Sequence, residues 1–162
     1  MMEIYSPNVE LKEKFGKEIR NAEYISACSK ICEKSNIAYE EARFIPHNLL
    51  TNWNEIADFE LYGDEDSEDF DLDFRREILF ELENDKSLNC FIEHKTFKAI
   101  LYSIDSKLKD RTFIPLELKN IDKWWQCIVF KKGTKKYISQ TEENIFYKYG
   151  IHLNLATKVE EL

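Results

Sequence analysis

Apolar side chains recur at Leu11, Phe15, Ile19, Ala22, Ile25, Cys28 and Cys32, in steps of three or four. Such steps bring successive side chains back to one face of a helix, so the spacing predicts an amphipathic helix from Ser6 onward. Pro7 suits its first turn, and Gly16 is where it would loosen or divide. A second helical stretch from about Tyr39 is interrupted near Pro46 and resumes through Leu49, Leu50, Trp53 and Ile56. Phe70, Phe74, Ile78 and Leu82 then repeat every four residues, with Leu79 alongside, which predicts a third, shorter helix. Its entrance carries Asp69, Asp71 and Asp73, carboxylates that would cap free amides and oppose the positive end of the helix dipole. Phe97, Ile100, Leu101, Ile104 and Leu108 give a fourth helix, with a strand still open for its first half.

After Ser87 the pattern shortens. "LNCFI" reads as a strand, and "TFIPLEL", "WWQCIVF" and "KKYIS" are extended in composition. "KKGTKK" carries a Gly between the last two and reads as a hairpin turn. Ser139 followed by Glu142 resembles a capping box, opening a short helix "EENIFYKY" that ends at Gly150. "IHLNLA" alternates like a closing strand. The expected class is therefore α+β: a helical N-terminal half packed with an antiparallel sheet formed mainly by the C-terminal half. At 162 residues the chain is expected to be a single domain over 1–162.

Composition adds a core and a charge. With 22 aromatic residues and 43% apolar content the chain can fill an interior, and seven Gly and Pro leave little room for flexible linkers. The net charge of −8 is uneven: residues 1–85 carry 9 Lys and Arg against 22 Asp and Glu, and residues 86–162 carry 14 against 9. Such a field repels nucleic acid and draws in cationic partners. The N-terminus has no apolar signal core and no run approaches the ~18 apolar residues of a membrane span, so neither secretion nor a membrane is expected. Cys28, Cys32, Cys90 and Cys127 are then expected as thiols in a reducing cytoplasm. Ile, Lys and Asn total 46 against 11 for Ala and Gly, the bias of AT-rich coding DNA, which points to a bacterial or mobile-element gene.

Candidate chemistry centres on "YGDEDSEDFDLDF", residues 62–74, with seven carboxylates and no base. A calcium loop needs Gly at its sixth position and Glu at its twelfth. Starting at Asp64 puts Asp69 and Arg75 there, and starting at Asp69 puts Phe74 and Phe80 there, so both registers fail. One reading of the run is a solvated loop leading into a capped helix. Against it stand the rings Phe59, Tyr62, Phe70 and Phe74, since a purely solvating acidic run rarely needs so many. Rings anchor and charges steer, which is how a surface meets a basic partner. Cys28 and Cys32 share a helical face without the spacing of a zinc knuckle, and His47, His94 and His152 lie far apart, so neither metal nor cofactor is expected. "KKGTKK" lacks the P-loop pattern. Glu93 with Lys95, and Glu117 with Lys119, downstream of Asp85 and Asp105, look like the D…E-x-K arrangement of PD-(D/E)xK nucleases, which would make the chain a Mg²⁺-dependent nuclease. Chance alone predicts about two E-x-K triplets at this Glu and Lys content, and the chain has three, counting Glu10 to Lys12. In a strand, adjacent Trp124 and Trp125 would face opposite ways, so either the strand is central and covered on both faces or one ring is a candidate surface anchor.

At the level of class, the acidic stretch Asp64 to Asp73 with its flanking rings resembles the immunity proteins of bacterial toxin systems such as contact-dependent inhibition. That resemblance implies a non-enzymatic, cytoplasmic protein that binds a cognate basic toxin, a nuclease in the leading case, and blocks it stoichiometrically. The expected partner-binding set is Tyr62, Asp64, Glu65, Asp66, Glu68, Asp69, Phe70, Asp71 and Asp73, with Trp53 and Trp124 as further anchors. The alternatives are the nuclease and an acidic interaction module with no inhibitory role.

Overall fold

A computed structural model describes residues 21–34, 46–64, 72–119 and 123–162, with the backbone alone at 47, 48 and 72–75. The chain forms two compact units, Met1–Ala57 with Asp73–Ser106, and Asp58–Leu72 with Lys107–Leu162.

The first unit is helical. Helix α1 (Ala22–Lys34) opens on Asn21, whose side-chain oxygen accepts from the Glu23 and Tyr24 amides at 2.9 and 3.4 Å, a cap that uses two of the four unpaired donors of a helix start. Its buried face is Tyr24, Cys28, Ile31 and Cys32, so the stripe turns slightly from the expected one and leaves Ala22 exposed. The expected part of this helix before residue 21 lies outside the described residues. Pro46 begins helix α2 (Pro46–Phe59), and it is the first-turn position that tolerates its missing amide. Leu49, Leu50, Trp53, Ile56 and Ala57 are buried. Helix α3 (Leu72–Asn84) buries Ile78, Leu79 and Leu82. Its expected caps, Asp69 and Asp71, fall outside the described residues. Helix α4 (Ile92–Lys109) buries all five positions expected of it.

"LNCFI" is not a strand. Asp85 accepts from the Ser87 amide at 2.9 Å and starts a 3₁₀ turn, Lys86–Cys90, that leads into α4. Three helices of this unit meet at one carboxylate. Asp105 of α4 accepts from Arg76 of α3 through Nε at 3.1 Å and Nη2 at 3.0 Å, and from Trp53 Nε1 of α2 at 2.9 Å. A buried guanidinium needs this paired, hydrogen-bonded arrangement. Tyr24 and His94 join α1 to α4, with hydroxyl and Nδ1 2.9 Å apart.

The second unit supplies the sheets, and they are small. Strand β1 (Thr112–Phe113) pairs antiparallel with β2 (Val129–Phe130), and β3 (Lys132–Gly133) pairs parallel with β4 (Glu160–Glu161). Gly63 bridges to Gly133, so three segments meet there. Helix α5 (Lys135–Tyr149) starts at Thr134, whose hydroxyl accepts from the Tyr137 amide at 3.1 Å, and ends at Gly150 with φ 70°, a left-handed geometry suited to glycine.

Helix therefore dominates the described residues, and the sheet component is C-terminal and two-stranded. Several extended segments are corrected. "KKYIS" is the start of α5, because the Thr134 cap begins the helix earlier than the Ser139 box would. Glu142 instead accepts from the Leu155 amide at 3.1 Å. "KKGTKK" is no hairpin turn, because its Lys132–Gly133 backbone is held by Gly63 and by the C-terminal strand. Leu116–Leu118, Trp124–Gln126 and Leu155–Thr157 are 3₁₀ turns. No helix among the described residues is long and apolar enough to cross a membrane.

Candidate partner-binding surface

The segment before the acidic run belongs to the second unit and is firmly held. At its start Lys107 Nζ pairs with Asp58. The Glu60 carbonyl accepts from Arg111 Nη1 at 3.0 Å. The Gly63 amide donates to the Lys132 carbonyl, and the Thr134 amide donates to the Gly63 carbonyl, both at 2.9 Å. Gly63 also lies flat on Tyr137: a Cβ there would sit 2.4 Å from its ring carbons. Only a residue without a side chain allows this approach.

Between these anchors the apolar side chains point out. Phe59 is 79% exposed, Leu61 58% and Tyr62 42%, while the intervening Glu60 is buried. Single exposed apolar residues are ordinary, but three within four positions form a patch of the kind partners cover. Asp64 follows, half-buried. Glu65, Asp66, Glu68, Asp69, Phe70 and Asp71 lie outside the described residues, as does the side chain of Asp73.

The tryptophans divide. Trp53 is removed from the binding set: it is fully buried, with its indole N–H on Asp105, and offers no surface to a partner. Trp124 is half-buried. It packs edge-on against Trp125 at 6.0 Å, with Lys109 Nζ 4.6 Å from its ring centre. Since "WWQ" is a 3₁₀ turn, the alternation expected of a strand does not apply, yet Trp125 is buried and Trp124 keeps an accessible edge. Leu61 was not legible as part of the surface. Its signal was the chain leaving α2 with apolar and acidic residues alternating.

The grouping by charge also differs from the sequence halves. Residues 58–72 carry eight carboxylates and no base, and they join the basic residues of 107–162 in one unit of 15 Asp and Glu against 11 Lys and Arg. The run starts beside Lys132, which pairs with Glu160 at 3.9 Å.

The nuclease triplets do not stand on strands. On a strand, positions i and i+2 share a face, but Glu93 and Lys95 lie in the first turn of α4, where that spacing separates them by about 200°. Glu93 is buried and accepts from the Asn21 amide group at 2.9 Å, while Lys95 is exposed. Glu117 sits in a 3₁₀ turn and pairs with Lys158 at 3.9 Å. Asp105 is committed to Arg76 and Trp53.

None of the four cysteines is in a disulfide, and among the described residues no group of three or more His, Cys, Asp or Glu is placed to hold a metal ion. Burial pushes the Cys28 thiol up to about 12, which keeps it protonated and unreactive at neutral pH. Burial also lowers the His94 pKa, helped by nearby Lys98, and raises that of the Tyr24 hydroxyl. Cys28 and Cys32 are buried helical thiols.

Comparison with protein-family models, with curated proteins and with solved structures finds no match.

Proposed function

We propose that this chain is an immunity or inhibitor protein that binds a basic protein partner, a toxin domain of nuclease type, through residues 59–73. The observation that carries the reading is the exposure of Phe59, Leu61 and Tyr62 on a firmly anchored segment that runs directly into seven carboxylates. Anchored rings lose little conformational freedom on binding, which favours them as the desolvated centre of an interface. Asp64, Glu65, Asp66, Glu68, Asp69, Asp71 and Asp73 stand in for phosphates against partner Lys and Arg, with Phe70 and the Trp124 edge as further contacts. Carboxylates of this density speed encounter and make it salt-dependent.

In this reading the protein acts in the cytoplasm by occupancy, without a cofactor and without chemistry of its own. Its class is α+β, with a small C-terminal sheet component beside the helices.

The test is kinetic. Changing Asp64, Glu65, Asp66 and Glu68 together to Lys should slow association with the purified partner by more than about tenfold at low salt. Phe59→Ala with Tyr62→Ala should instead speed dissociation. An association rate that ignores both charge reversal and ionic strength would remove the acidic run from the interface. A partner bound tightly but left fully active would favour the non-inhibitory module.

A further inference from the structure

Helix α1 is tied to α4 near its first turn, and the tie is polar. The Asn21 side-chain amide donates to the Glu93 carboxylate at 2.9 Å, and the Tyr24 hydroxyl lies 2.9 Å from His94 Nδ1. Both partners are buried in the first turn of α4. The rest of the buried face of α1 is small: beyond Tyr24 it consists of Cys28, Ile31 and Cys32. A helix with few buried apolar contacts belongs to the least stable part of a fold, where local opening precedes global unfolding.

His94 is the member of this tie that titrates near neutral pH. Its ring is 2% exposed, stacks on Phe97 at 5.5 Å and tilts against Tyr24 at 5.9 Å. The Glu83 backbone carbonyl, which only accepts, is the ring's other hydrogen-bond partner. Nε2 therefore carries the proton of the neutral imidazole, and Nδ1 accepts from the Tyr24 hydroxyl. A proton on Nδ1 reverses that bond. The hydroxyl must then accept from the ring and turn its own proton to the Cys28 sulfur, a weak acceptor. The proton also places a charge in a buried site. Lys98 of α4 repels that charge, the Glu83 carbonyl and the Asp85 and Glu83 carboxylates favour it, and burial outweighs them. Once α1 lets go, the imidazole is solvated and takes up its proton at the ordinary value of about 6.5.

We propose that α1 is an acid-released element: protonation of His94 breaks its tie to α4, and the helix detaches while the other helices and the second unit stay folded. The device uses neither the acidic run nor the exposed rings beside it, so it stands or falls separately from the proposed binding surface.

The cysteines read out the release. Cys28 and Cys32 are buried on α1, Cys127 is buried in the second unit, and Cys90 is exposed. The full chain is labelled with dithiodipyridine, a disulfide that still reacts with thiols in mild acid, and each site is followed by mass spectrometry. Dividing every rate by that of Cys90 cancels the titration of the thiol itself. From about pH 7.5 to about pH 5.5 the relative rates of Cys28 and Cys32 should rise several-fold, with a ceiling of about tenfold for uptake of one proton. The relative rate of Cys127 should not change. His94→Gln, whose amide hydrogen-bonds without titrating, should give a flat profile at all sites. The proposal is overturned if Cys28 and Cys32 stay flat in the wild type, if Cys127 rises with them, or if His94→Gln keeps the rise. If His94→Gln fails to fold, the wild-type comparison of Cys28 and Cys32 with Cys127 still decides.

Discussion

Deleting the Asp105 carboxylate would leave Arg76 buried beside Trp53 without its bidentate partner. A buried charge stripped of its partner costs about 3–5 kcal/mol; because Glu83 stays 3.4 Å from Arg76 Nη2, Asp105→Ala should lower the unfolding free energy by the lower part of that range in a urea titration. A loss below about 1 kcal/mol would mean that Arg76 is satisfied elsewhere. His94 has a pH signature. Because burial holds its folded pKa below the ordinary value, the unfolded chain takes up the proton first. Stability is therefore full above about pH 6.5 and falls as the pH drops toward the folded value. Asp85, held low by its hydrogen bond with Ser87, acts in the same direction but only below about pH 4. Thermal unfolding should show a decline as the pH falls below about 6.5 that flattens in His94→Gln. The thiols give a third check. Iodoacetamide at neutral pH should label Cys90 alone in the folded chain and all four cysteines after denaturation, read by mass spectrometry. At this scale the sequence was legible for buried thiols and misleading for Trp53, because a tryptophan's burial depends on which carboxylate the fold brings to its N–H.

Two glycines of the second unit make opposite demands on the chain. Gly63→Ala would force a methyl into the Tyr137 ring, and overpacking of this kind costs about 1–3 kcal/mol. Gly150→Ala meets open space and pays only for its left-handed backbone, about 1 kcal/mol. Thermal unfolding should rank Gly63→Ala as the more damaging, and the reverse order would contradict the contact between Gly63 and Tyr137. The helices could be read because a 3.6-residue period is a local property: Ile78 with Leu82, and Phe97 through Leu108, announce a buried face without reference to any partner. The short strands could not. Gly63, Gly133 and Glu161 are brought together from three distant segments, and nothing within "KKGTKK" marks it as a strand rather than a turn. The Ser139 and Glu142 pair fitted a cap by spacing alone, but the chain places Thr134 first.

The whole molecule does not divide as its sequence does. The acidic stretch lies in the first half of the chain, yet it belongs to the unit built mainly from the basic second half. Of the proposed surface, the carboxylates set among rings could be read from the run itself. Its rigid base was not, since Gly63 is fixed by Lys132, Thr134 and Tyr137, far along the chain. Residues 59–73 are proposed to capture and silence a basic protein. The direct measurement is capture from the native host by the wild-type chain and by the four-residue charge-reversed variant in parallel, followed by assay of the captured protein's activity. A single basic protein should come down in near one-to-one amount on the wild type alone, released by salt and inactive until released. Equal capture by the reversed variant, or full activity of the captured protein in the complex, would contradict it.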